Sequence, residues 1–179
     1  MSAPSASLPS ESQHNDSINP DALCLSDTAG VMRAATADEI LKAARIVIAR
    51  RVRRGTSFAS PAEARDYLRL KLADRDHEVF AVLFLDTRHR LIEYCELFRG
   101  TIDGANVHPR EVVKEALARN AAAVILVHNH PSGVAEPSHA DELITRRLKD
   151  ALALVEIRVL DHLIVACGTV ESFAERGLL

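Results

Sequence analysis

A chain of 179 residues is long enough for one domain with a proper hydrophobic core plus appendages. Its 47% hydrophobic content fits a soluble globular protein and excludes a fibrous or wholly disordered one. With 22 Lys and Arg against 25 Asp and Glu, no overall cationic excess marks it as a dedicated nucleic-acid binder or a protein of acidic membrane surfaces.

Residues 1 to 36 are rich in Ser, Ala, Pro, Asn and Asp, bury too little to offset chain entropy, and read as a mobile, disordered N-terminal tail. Thr36 followed by Glu39 resembles a capping box and opens a helix expected to run to Arg54 and stop at Gly55. Arg45, Arg50, Arg51, Arg53 and Arg54 make its second half basic. That fits a solvated face with cations at a helix C-terminus better than a DNA contact, since no aromatic platform accompanies them. Ser60-Pro61-Ala62-Glu63 opens a second helix with Ala64, Tyr67, Leu68 and Leu72 on its buried side.

The run from Glu78 to Asp86, EVFAVLFLD, is nearly continuously apolar and predicts a strand buried on both faces. A polar break at Thr87-Arg88-His89-Arg90 predicts a hairpin into a second strand over Leu91 to Thr101. His108-Pro109-Arg110-Glu111 starts a third helix with Val112, Val113, Ala116 and Leu117 inward and Asn120 near its end. The strand Ala122 to Val127 then delivers the chain to His128. A loop with Pro131, Gly133 and Pro137 leads to a helix over Ser138 to Leu154, and strands over Ile157 to Ala166 and Thr169 to Phe173 close the chain. The order predicts an α/β fold, a mixed sheet flanked by helices around one core.

Cys24, Cys95 and Cys167 are far apart and odd in number, which reads as reduced intracellular thiols. No basic start followed by an apolar run suggests a secretory leader, and no apolar stretch is long enough to cross a bilayer. The expectation is a cytoplasmic protein with no membrane association; oligomeric state has no signature in the sequence.

Chemistry concentrates at His128-Asn129-His130, followed after seven positions by Ser138-x-x-Asp141. At the end of a strand, residues two apart point to the same side, so both imidazoles can face one ion. Asp141 falls in the first turn of the next helix, where a carboxylate is electrostatically favoured. Ser138 and Asp141 also form a capping box, a role compatible with Asp141 reaching a metal. Two nitrogens and one carboxylate oxygen, with no cysteine nearby, match the incomplete tetrahedron of catalytic Zn2+, whereas calcium or magnesium favours all-oxygen shells. An open fourth position would hold a water whose pKa zinc lowers to about 7.

HNHPSGVAEPSHAD matches the JAMM motif of the JAB/MPN metalloproteases: His-x-His, seven residues, Ser, two residues, Asp. The wider stretch LFRGTIDGANVHPREVVKEALARNAAAVILVHNHPSG, with RVLDHLIV and SFAERG after it, resembles the bacterial RadC family over residues 57–179. The resemblance implies a JAB/MPN, cytidine-deaminase-like three-layer sandwich over 57–179. It also implies zinc on His128, His130 and Asp141, a Glu as general acid/base, and Ser138 stabilising the tetrahedral intermediate. In the family that Glu stands at the start of the first core strand, the place of Glu78 here. Glu96 in CELFRGT is the alternative base, ahead of Glu93 and Glu136. Asn129, Ser132 and Gly133 are expected to shape the loop and line the entrance. His162 reads as a satisfied core histidine and His139 as a solvent-side one.

RadC proteins also share a helix-hairpin-helix region with a Gly-x-Gly turn; residues 37–56 look like its last helix only, and the preceding segment holds no Gly-x-Gly. The functional expectation is a zinc hydrolase cleaving a peptide or isopeptide amide of a peptide or protein substrate. The alternatives are a metal-containing binding module and a DNA-repair-associated accessory protein.

Overall fold

The computed structural model describes residues 23–26, 30, 32–51, 54–56, 61–72, 75–100 and 106–179, with the side chains of 48–51 and 61 outside that description. Most of the expected tail, the Ser60 cap, Arg53 and the side chains of Arg50 and Arg51 therefore lie outside the described residues. The chain divides into two units, Met1–Leu41 and Lys42–Leu179.

In the first unit the structure departs from the expected tail. β1 (Cys24–Ser26) and β2 (Met32–Ala34) pair antiparallel, with the Ala35 N–H donating to the Leu23 carbonyl at 2.8 Å. Six exposed residues without apolar alternation give no strand signal. Helix α1 (Ala37–Arg51) starts as expected: the Thr36 N–H donates to Glu39 Oε2 at 2.9 Å, and the Glu39 N–H returns a bond to Thr36 Oγ1 at 3.3 Å. Arg33 and the Thr36 backbone hold the Glu39 carboxyl down at about 2.

The second unit is built on a five-stranded sheet of order β4-β3-β5-β6-β7: β3 (Val79–Leu85), β4 (Leu91–Arg99), β5 (Ala123–Asn129), β6 (Arg158–Ala166) and β7 (Thr169–Ser172). Every neighbouring pair is antiparallel except β5 and β6, which are parallel and joined through helix α4 (His139–Ala153). All seven residues of β3 are buried, because its alternate side chains face two separate cores. Ala81, Leu83 and Leu85 pack with Tyr67, Leu68 and Leu72 of α2 (Pro61–Leu72) on one face. Phe80, Val82 and Phe84 pack with Val112 and Ala116 of α3 (Pro109–Ala118) and Leu148 and Leu152 of α4 on the other. The fold is thus a mixed α/β sheet between helical layers, consistent with a JAB/MPN domain.

The turns follow from side-chain chemistry. Asp86 Oδ1 accepts from the Arg88 and Arg90 N–H groups, closing the β3–β4 hairpin, and Asn120 takes a left-handed φ of 52° just past α3. Arg45, one of the basic set, donates to the Leu70 carbonyl at 3.3 Å. Among the described residues no helix is long and apolar enough to cross a membrane. The parallel pair β5–β6 runs toward the start of α4, so the C-terminal edge of these strands and the helix N-terminus meet, a recurring place for sites in sheets with crossover helices.

Candidate metal centre

His128 is the penultimate residue of β5 and is almost completely buried on the α3–α4 face, its ring nearly parallel to Phe80 at 6.1 Å. His130 follows one residue past the strand end, where its N–H still pairs with the Val165 carbonyl of β6 at 2.9 Å. Period-two alternation therefore turns both imidazoles the same way. Asp141 is presented by the capping box of α4: its N–H donates to Ser138 Oγ at 3.2 Å, and the Ser138 N–H donates to Asp141 Oδ2 at 2.8 Å.

The three side chains converge. His128 Nε2 lies 2.9 Å from His130 Nε2 and 3.1 Å from Asp141 Oδ1, while His130 Nε2 is 3.6 Å from Asp141 Oδ2. One ligand atom from each residue lies within 4.8 Å of the others. His130 Nδ1 is 2.7 Å from the Val134 carbonyl, which can only accept, so Nδ1 carries a hydrogen and Nε2 is the ring atom left to face a metal beside His128. Two imidazole nitrogens and a carboxylate thus share a small space that favours positive charge. The residues fit a metal ion, and the nitrogen and oxygen donors match a transition metal better than an all-oxygen cation site.

The electrostatics agree with that reading. Burial pushes the Asp141 carboxyl up, but hydrogen bonds with His128 and His130 outweigh it and hold the carboxyl far below the usual range. The Asp141 bond raises His130, burial opposes this, and the Val134 carbonyl and the charge of Glu78 add to the rise. His162, wholly buried, is pushed well below the ordinary histidine value by desolvation first and by His128 second.

Beside the ligands opens a cleft of 460 Å³ lined by Glu78, Phe80, Ser132, Ser138, Leu143 and Arg147, among others, together with His130 and Asp141. Glu78 thus shares the cleft with the ligands, as its position before β3 suggests. The Ser138 hydroxyl is engaged, donating to Asp141 Oδ2 at 2.6 Å. Ser132 lines the entrance, and Gly133, at φ +84°, donates its N–H to the His130 carbonyl.

Other expected residues are elsewhere. Glu96 pairs across from Ala81, on the α2 face of the sheet, where it binds Arg75 at 2.6 Å and accepts from the Tyr94 hydroxyl at 3.3 Å. It is on the opposite face from His128. Glu93 is taken by Arg119, and Glu136 and His139 are exposed. Asn129 does not line the entrance. The pleat turns it away from His128, and its amide bridges the backbone on either side of Glu78, accepting from the Val79 N–H at 2.9 Å and donating to the His77 carbonyl at 3.0 Å.

His162 is a satisfied core histidine, as expected, but its partner is one of the candidate ligands: its Nε2 lies 2.8 Å from His128 Nδ1. Its other nitrogen meets Thr145, a residue for which the sequence offered only one signal, its place one helical turn after Asp141.

Comparison with known proteins gives these residues a family context. The family model of the RadC-like JAB domain matches residues 58–178. The chain is 61% identical over 150 residues to a UPF0758 protein of Methylibium petroleiphilum, covering 84% of this chain and 68% of the relative. It is 60% identical over 150 residues to one of Thioalkalivibrio sulfidiphilus, covering 84% and 67%. A UPF0758 protein of Vibrio cholerae is 61% identical over 140 residues, or 78% of this chain and 88% of the relative.

Proposed function

This chain belongs to the RadC-like JAB domain family, and from that premise we propose that it is a zinc-dependent hydrolase cleaving a peptide or isopeptide amide. The observation that carries the reading is the convergence of two imidazole nitrogens and one carboxylate at the wall of an open cleft that Glu78 also lines.

Zinc held by His128, His130 and Asp141 would supply Lewis acidity, polarising the amide carbonyl and making water nucleophilic at neutral pH. Glu78 takes a proton from the attacking water and returns it to the leaving amine, one carboxylate acting as base and then acid. Ser138 turns its hydroxyl from Asp141 toward the developing oxyanion, a rotation about one bond. Phe80, Val107, Leu143 and Ile144 give the cleft an apolar wall for a peptide segment, and Arg147 offers it a cation. The three cysteines, none of them in a disulfide, support work in a reducing compartment such as the cytoplasm.

Zinc uptake by the full chain tests the metal site. The parent should bind zinc at one per chain, and zinc at a hundredfold excess over its dissociation constant should add about 2.7 kcal/mol to stability. His128→Ala and Asp141→Ala should lose both effects. Glu78→Gln should keep the zinc and lose hydrolysis of a panel of peptide and isopeptide substrates. A parent that binds zinc yet cleaves no amide in that panel is a metal-bearing binding module, and the hydrolase reading falls.

A further inference from the structure

We infer that His162 and Thr145 are positioning residues that set the tautomer of His128, so that a bare Nε2 rather than an N–H faces the metal centre. The inference builds on the proposed metal site but stands on hydrogen-bond directions within the protein.

The directions follow from one end of a buried chain of contacts. Thr145 Oγ1 lies 2.5 Å from the Asp141 carbonyl oxygen. A carbonyl has no hydrogen to give, and two oxygens so close without a hydrogen between them repel, so the Thr145 hydroxyl hydrogen is committed there. Thr145 Oγ1 can then only accept from its next neighbour, His162 Nδ1, at 2.6 Å. That nitrogen therefore carries a hydrogen. The His162 ring has no solvent exposure and is enclosed by Phe80 and Phe173, with centroids 5.5 and 4.7 Å away, a setting that disfavours a charged imidazolium. Its Nε2 is consequently bare.

His162 Nε2 faces His128 Nδ1 at 2.8 Å, so the hydrogen between them belongs to His128. With Nδ1 committed to His162, Nε2 is the ring atom of His128 left to offer a lone pair to a metal, and it is the atom that faces Asp141 Oδ1 and His130 Nε2. Reversing any link would reverse all of them and strand the Asp141 carbonyl against a non-donor. The chain of bonds begins and ends on the same residue: the Asp141 backbone oxygen fixes the direction, and the Asp141 carboxylate is the third ligand. His130 is oriented separately, by the Val134 carbonyl. A ring nitrogen held in the wrong tautomer would put an N–H where a cation must sit, which is why outer partners of ligating histidines weigh on metal affinity.

Two readouts on the full-length protein test this. In the metal-free parent, nitrogen-15 NMR of the histidine rings should find both His128 and His162 as the Nδ1–H tautomer. Zinc affinity, measured by chelator competition, should fall roughly 10–100-fold in Thr145→Val, which keeps the shape and loses the hydroxyl. Thr145→Ser, which keeps the hydroxyl, should restore it, and His128 in Thr145→Val should show Nε2–H character. An Nε2–H tautomer for His128 in the metal-free parent, or zinc bound as tightly by Thr145→Val as by the parent, would overturn the inference. If Thr145→Val does not fold, the parent tautomers decide alone. If the parent binds no zinc, the proposed function falls, while the tautomers still decide this inference.

Discussion

Asn129→Ala should separate the two jobs proposed for the His128-Asn129-His130 segment, holding a metal and holding the base. The Asn129 amide makes two bonds, from the Val79 N–H at 2.9 Å and to the His77 carbonyl at 3.0 Å. Between those contacts stands Glu78, whose own carbonyl accepts from the Gly100 N–H at 2.8 Å. Truncation leaves the Val79 N–H buried without a partner, costing about 1–3 kcal/mol, and removes a second bond worth about 0.5–1.5 kcal/mol. A total of about 2–4 kcal/mol lowers the unfolding midpoint by roughly 5–15 °C for a chain of this size. Thermal unfolding of the metal-free protein measures the loss, and amide hydrogen exchange should report faster exchange at Val79. Zinc affinity should stay near the parent value, because the Asn129 side chain is on the opposite face of the sheet from His128, while turnover should drop as Glu78 loses its anchors. A stability change below about 0.5 kcal/mol, the range of an indifferent surface substitution, together with unchanged protection at Val79 would refute the clamp.

Two further outcomes concern the surroundings of the site. Gly133→Ala should cost about 1–2 kcal/mol, because Gly133 sits at φ +84° where an L side chain is strained. Its new Cβ would also come 2.7 Å from Cys167 Sγ, so adding Cys167→Ala should relieve part of the loss and leave the backbone part; a single variant as stable as the parent would refute this. The second outcome is spectroscopic, and the chain's 2 tyrosines and lack of tryptophan make it clean. Burial first, and the charge of Glu96 second, push Tyr67 up to about 12 and Tyr94 higher still. Tyrosinate absorbance should therefore stay flat through pH 10 while the protein is folded. Between the ordinary value of 10.0 and about 12 the unfolded Tyr67 has lost its proton and the folded one has not, so stability should fall as pH rises across that window. An ordinary rise at pH 10 with intact circular dichroism would contradict it.

Much of this protein is legible in its residue pattern because the relevant physics is local. The unbroken VFAVLFL marks β3 as a strand with apolar cover on both faces, and the capping box of Ser138 and Asp141 marks where α4 begins. Where contacts depend on distant partners, the pattern was silent or misleading. The exposed pairing of Cys24–Ser26 with Met32–Ala34 has no hydrophobic periodicity to betray it. Glu96 resembles a second base until the sheet turns it toward Arg75. Asn129 resembles an entrance residue, although strict alternation from His128 already places it on the other face.

His128, His130 and Asp141 were readable as one group because a two-residue strand period and a helix cap set their directions within a few residues of chain. The environment that makes them a site was not. His162 is 34 positions from His128, and it arrives beside it only because β6 pairs parallel to β5 with His162 opposite Leu126, on the same side of the pleat. Local backbone geometry could thus bring the candidate ligands together, but only sheet register and the docking of α4 could decide which partner stands behind each ring. Hydrogen bonds to a ring's second nitrogen come from whatever strand or helix happens to lie behind it.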